Sequence, residues 1–178
     1  MKKLFVLAIL FVACSAGAWA SIELKGAYLS PSDSDFKSIY GGGWMFGAEI
    51  SFSLASGLDA WLSGDYFAKT GSLTYTDEET KLTLIPIGAG LRYRFLSGWV
   101  QPYLGAGARY YLYKETNIIG TVNKGGIGFI GKLGANLKFA RSLFLDLFVG
   151  YSFCKMKPAD FEIGVGGLEI GAGLGYWF

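Results

Sequence analysis

Few side-chain types do most protein chemistry, and this 178-residue chain lacks one of them: it contains no histidine. Imidazole is therefore absent both as a general base and as a metal ligand. Its two cysteines, Cys14 and Cys154, are too few for a thiolate metal cage. Glu49, Asp59 and Asp65 are candidate acid–base carboxylates, but bases lie beside them in the strand pattern, which favours structural pairing. Gly126-Ile127-Gly128-Phe129-Ile130-Gly131 has the GxGxxG spacing of a dinucleotide loop. That chemistry needs a strand, a tight turn and a helix N-terminus facing the pyrophosphate. Here the glycines fall inside an alternating strand, where small residues ease curvature and close packing. Asp77-Glu78-Glu79 could hold a hard cation weakly, although a solvated loop is its ordinary reading. The sequence thus predicts no enzyme activity, no metal site and no cofactor.

The elements carrying these residues follow from composition and period. Hydrophobic residues make up 52% of the chain and charged residues 17%, and the mean hydropathy is +0.36. Such a balance suits lipid exposure, yet beyond residue 20 no apolar run reaches the roughly 18 residues of a spanning helix. A closed β-barrel is the spanning architecture left open.

Residues 1–20 read as a secretion signal. Lys2 and Lys3 precede an apolar stretch, Leu4 to Ala13, and Ala18-Trp19-Ala20 supplies small residues for cleavage between Ala20 and Ser21. The secretion translocon is then a partner, and residues 21–178 form the barrel domain. A competing reading takes Phe11-Val12-Ala13-Cys14 as a lipoprotein site with lipid on Cys14. Losing Lys2 and Lys3 brings the basic residues down to the 14 acidic ones, so there is no electrostatic case for nucleic acid as a partner. Cys154 would be the single mature thiol, without an internal disulfide and expected to be buried and inert.

Eight alternating segments are predicted: 22–30, 43–54, 58–69, 82–95, 99–113, 126–139, 142–155 and 167–178. Tight breaks at 55–57, 96–98 and 140–142 alternate with longer polar ones at 31–42, 70–81, 114–125 and 156–166. This is the pattern of an all-β, antiparallel up-and-down transmembrane barrel with short periplasmic turns and longer outer loops. In the last segment Leu168, Ile170, Ala172, Leu174, Tyr176 and Phe178 share one face, and Gly167, Glu169, Gly171, Gly173, Gly175 and Trp177 occupy the other. Outward aromatics sort into two belts. Phe52, Tyr93, Phe95, Phe139, Tyr176 and Phe178 fall near the periplasmic rim, and Tyr28, Phe46, Tyr66, Tyr110, Tyr151 and Phe153 near the outer one. A bilayer interface favours such girdles.

Several stretches carry a family resemblance. The terminal Gly171-Ala172-Gly173-Leu174-Gly175-Tyr176-Trp177-Phe178 resembles the C-terminal signal of Gram-negative outer-membrane proteins. Pro102-Tyr103-Leu104-Gly105-Ala106-Gly107 and Gly88-Ala89-Gly90-Leu91-Arg92-Tyr93-Arg94-Phe95 are similar to recurring strands of the OmpA/OmpW-like outer-membrane barrel superfamily. The resemblance implies residence in the bacterial outer membrane, contact with its lipid, and recognition of Tyr176 and Phe178 by the outer-membrane assembly machinery. Barrel acyltransferases, phospholipases and proteases use His in their active sites, and this chain has none.

Alternation places Glu23, Lys25, Glu49, Asp59, Asp65, Arg92, Arg94, Arg109, Lys132, Lys138, Asp146 and Glu169 in the lumen, six acids against six bases. Charges in a narrow lumen need partners, so an internal salt-bridge network is expected, and an eight-stranded barrel is just wide enough to be filled by it. Above it, Leu29, Met45, Phe67, Leu82, Leu84, Pro86, Tyr111, Tyr113 and Ile130 point inward towards the outer half. They form an apolar cup, read either as packing that stiffens the upper barrel or as an outer-facing site for a small hydrophobic ligand. Two functions follow. One is a plugged structural, anchoring or surface-interaction barrel; the other is a narrow channel or carrier for a small hydrophobic molecule. The association of OmpW-like barrels with hydrophobic solutes favours the second by analogy alone.

Overall fold

The computed structural model describes residues 20–72, 79–118, 120–156 and 163–178. The secretion-signal and Cys14 readings therefore lie outside the described residues, as do Asp77 and Glu78 of the acidic run. The elements are β1 (Ala20–Pro31), α1 (Ser34–Tyr40), β2 (Gly43–Ala55), β3 (Leu58–Ser72), β4 (Glu79–Arg94), β5 (Val100–Asn117), β6 (Gly120–Lys138), β7 (Leu143–Phe153), β8 (Lys155–Met156), β9 (Ile163–Gly164) and β10 (Gly167–Trp177). Eight of them close antiparallel in the order β1-β10-β7-β6-β5-β4-β3-β2. The seam runs from Ser21↔Trp177 to Pro31↔Gly167, and the Phe178 N–H donates to the Ala20 carbonyl at 2.9 Å. Closure satisfies the backbone without leaving a sheet edge in lipid.

Polarity is inverted relative to a soluble barrel. Leu24, Leu62, Leu91, Leu104, Leu133 and Leu174 face outward and are half or more exposed, apart from Leu62 at 47%. Glu49, Asp65, Arg109 and Glu169, on the other parity, are at most 4% exposed. The outward aromatics include Trp44 and Trp99, which the belt assignment omitted; Trp44 packs edge-on against Tyr28 at 5.8 Å.

Three features depart from the expected segments. Within the regions read as loops 70–81 and 114–125, the described residues are largely strand, because β3 with β4 and β5 with β6 continue pairing to Ser72↔Glu79 and Asn117↔Gly120. Their polar Thr, Lys and Asn residues lack the hydrophobic contrast by which alternation is recognised. The region 31–42 contains α1, started by Asp33, whose Oδ1 accepts from the N–H groups of Asp35 and Phe36 at 3.1 and 3.0 Å. Gly41, at φ 63°, ends it in a conformation that favours glycine. Finally, β8 and β9 pair antiparallel in a separate two-stranded sheet, and the Val165 N–H donates to the Cys154 carbonyl at 3.0 Å.

Candidate functional site

Every barrel strand sends a polar side chain into one connected chain of contacts through the lumen. At the periplasmic end Arg94 of β4 grips Asp59 of β3 with Nε and Nη2, both at 2.8 Å, and its Nη1 donates to Gln101 Oε1 at 3.2 Å. Arg92 lies 3.5 Å from the same Asp59 and 3.3 Å from Glu49 of β2. Glu49 gathers two more cations, Lys132 of β6 at 2.5 Å and Lys25 of β1 at 3.3 Å. Lys25 reaches Asp65 at 3.2 Å, Asp65 lies 3.3 Å from Arg109 of β5, and Arg109 lies 2.5 Å from Glu169 of β10. Ser152 of β7 completes the set by donating to Glu169 at 2.9 Å.

The inward glycines give this network its space. Trp61 is 1% exposed and stacks beneath the Lys132 ammonium, 4.4 Å from its ring centroid. A Cβ on Gly90 or Gly107 would sit 2.5 Å from Trp61 Cζ2, so those positions must be small for the indole to fit. Three of the expected lumen charges stand apart from the ion pairs. Asp146 accepts instead from the Tyr103 hydroxyl at 2.8 Å. Glu23 is buried opposite Glu49 in the β1–β2 register and has no ion pair among the described residues. Lys138 lies lower, over the Trp177 ring at 4.6 Å.

The upper half is apolar, and it is covered. Leu29, Met45, Phe67, Leu82, Leu84, Tyr111 and Tyr113 belong to one buried cluster. Ile130 is buried at 3% exposure but lies outside that cluster. The same cluster contains Phe36 and Tyr40 of α1 together with Met156, Ile163 and Val165 from the β8–β9 region. Side chains from the connections between strands thus pack against the residues of the expected apolar cup. The sequence reading missed them because segments 31–42 and 156–166 look polar on average. The usable signal was the spacing of Phe36, Ile39 and Tyr40, an i, i+3, i+4 stripe between an Asp cap and a Gly stop.

Hydrogen bonds fasten this cap. Asp33 Oδ2 accepts from Gly164 N–H at 2.9 Å, tying α1 to β9. Tyr40 OH lies 3.4 Å from Thr80 Oγ1, which donates to Glu115 Oε1 at 2.9 Å, and the Tyr113 hydroxyl donates to the other Glu115 oxygen. Burial pushes the Tyr40 phenol up to about 12. Cys154 is a free thiol, 1% exposed, directed at the Ile127 carbonyl.

The family model for the outer membrane protein beta-barrel domain matches residues 6–178. The chain belongs to that family. Membership makes it a protein of the bacterial outer membrane. None of the curated proteins matches the chain. Among solved structures, OprG from Pseudomonas aeruginosa has a TM-score of 0.68 at 17% identity, with 90% of this chain and 96% of that one covered. Neisserial surface protein A gives 0.65 at 20% identity, covering 92% and 98%. Ail of Yersinia pestis gives 0.59 at 16% identity, covering 90% and 99%. At these identities the likeness shows a shared fold, and the role of this outer-membrane barrel has to be argued from its own side chains.

Proposed function

We propose that the protein is a non-enzymatic structural or surface-interaction barrel with a plugged lumen, anchoring its outer connections in the membrane. The observation that carries this reading is the unbroken ion-pair chain from Arg94 to Glu169, overlaid by the cluster that contains Phe36 and Tyr40. A solute would have to separate several buried charge pairs at once, and breaking even one by removing a partner costs about 3–5 kcal/mol. The four acids in those pairs are each held by a cation, which leaves them poorly placed as general bases. Secretion with cleavage between Ala20 and Ser21, followed by recognition of Tyr176 and Phe178 by the assembly machinery, accounts for delivery. Deleting Phe178 should abolish most membrane insertion, read as loss of the folded, heat-modifiable band.

The test of the plug is conductance in planar bilayers. The reading requires no steady current from the folded protein; ohmic conductance in every reconstituted sample would overturn it. A second reading, a carrier for a small hydrophobic molecule, is favoured by the apolar lining of the capped upper half. It requires the cap to move. Native mass spectrometry of protein extracted from its own membrane separates the two. A stoichiometric apolar adduct, lost in Leu84→Asp, supports the carrier, whereas a bare mass in both supports the plug.

A further inference from the structure

The periplasmic end of the lumen is filled differently from the rest. Beneath the Arg94–Asp59 pair lies an open cavity of about 560 Å³. Three cations converge on it, Arg94, Lys138 and Arg141, against one carboxylate, Asp59. That carboxylate is already gripped by both Arg92 and Arg94. Lys138 rests on Trp177, and neither it nor Arg141 has an ion-pair partner among the described residues. Lys138 and Arg141 thus line the cavity without a carboxylate partner, and an oxyanion held there gains charge-assisted hydrogen bonds from them.

The other wall of the cavity indicates where the oxyanion comes from. It is made by Tyr93, Phe95 and Leu96, which are 49%, 53% and 62% exposed. Tyr93 and Phe95 belong to the aromatic belt that marks the periplasmic membrane interface. The cavity therefore joins a cationic lumen mouth to the lipid-facing rim at headgroup level. A molecule with a phosphate at one end and acyl chains at the other satisfies both walls.

We propose that this mouth binds the phosphate of an anionic headgroup between Lys138 and Arg141, with Arg94 behind them. A periplasmic-leaflet phospholipid and a soluble phosphate monoester share that chemistry, and the experiment distinguishes them. Folded protein is titrated with phosphatidylglycerol or phosphatidylcholine in mild detergent and read by native mass spectrometry. One phosphatidylglycerol should be retained in preference to phosphatidylcholine. The Lys138→Gln, Arg141→Gln double variant should weaken its binding about tenfold, corresponding to about 1.4 kcal/mol. Both substitutions leave the Asp59 pairs intact, so the variant should keep its heat-modifiable band. The Lys114→Gln, Lys124→Gln double variant, on the outer parts of β5 and β6, is the charge-matched control and should bind as the parent does. Displacement by millimolar glycerol 3-phosphate would assign the site to a soluble phosphate ester, and resistance to it would assign the site to the lipid. Equal retention of the two lipids, or undiminished binding by the double variant, would overturn the proposal. If that double variant fails to fold, Arg141→Gln alone, at the exposed turn, is held to the same criterion with a smaller loss.

Discussion

The lower and upper halves of the lumen are both filled, but by side chains of different origin. Below, the filling comes from the strands themselves: Glu49, Arg92, Lys132 and Arg109 are fixed by the same register that closes the barrel. Above, part of it is delivered by α1 and by the β8–β9 region through Phe36, Tyr40, Met156, Ile163 and Val165. A filling on strands cannot leave without opening the sheet. One carried by connections can detach while the hydrogen-bonded ladder stays whole, since connecting segments draw on the low end of local stability. The lower half should therefore report on global stability and the upper half on local opening.

The largest effect is expected at the hub of the lower half. Glu49→Leu leaves Lys25, Arg92 and Lys132 without the carboxylate they share. Removing one member of a buried ionic cluster costs about 3–5 kcal/mol, which should lower the urea midpoint for loss of the heat-modifiable band. An unchanged midpoint would mean that water or ions already compensate these charges, and the contrast between the halves would collapse.

The cap should respond without that global loss. Phe36 is completely buried, and Phe36→Ala removes about 3 kcal/mol or more of packing. Because that packing sits on a seven-residue helix, hydrogen exchange should accelerate in α1 and around Ile163–Val165 while β5 and β6 amides keep their protection. Equal acceleration everywhere would make the cap part of the barrel's cooperative unit and remove the distinction.

How far the sequence foresaw this division depends on the range of the interactions. Period two assigned Glu49, Asp65, Arg109 and Glu169 to the lumen because each strand reports its own parity. Which charges meet was not legible: Arg109 of β5 pairs with Glu169 of β10, and Glu49 of β2 with Lys132 of β6, across strands brought opposite by closure alone. Parity gave Lys138 an inward direction, and the tight break after Phe139 gave it a place at the periplasmic rim, but its contact with Trp177 of β10 needed the closed barrel. The cap was hidden for a different reason. A helix as short as α1 has little stability of its own, and the apolar cup that holds it is assembled from several strands. Cys154 was legible as buried because its parity is that of Ser152 and Phe148.

A smaller and more pointed effect is expected from Asp33→Ala. The side chain caps α1 through Oδ1 and holds Gly164 through Oδ2. Cap loss alone is worth about 1 kcal/mol, and the second bond links two segments distant in sequence. Exchange should therefore increase at Gly164 as well as at Asp35 and Phe36. An increase confined to the helix would show that α1 and β9 open separately.

The smallest effect concerns the bond between Tyr40 and Thr80, worth about 0.5–1.5 kcal/mol in a neutral pair. Its pH dependence has a definite sign. Burial raises the Tyr40 phenol from about 10 to about 12, so the folded cap favours the protonated hydroxyl. That contribution is complete below pH 10 and is lost as pH rises towards 12, because the uncapped state gives up its proton first. Hydrogen-exchange protection of the helix, corrected for intrinsic rate, should fall across this interval while strand amides are unaffected. Tyr40→Phe should show slightly weaker protection at neutral pH and a flat response between pH 10 and 12. If the variant keeps the alkaline loss, the titrating group lies elsewhere, and Tyr40 holds α1 by its ring alone.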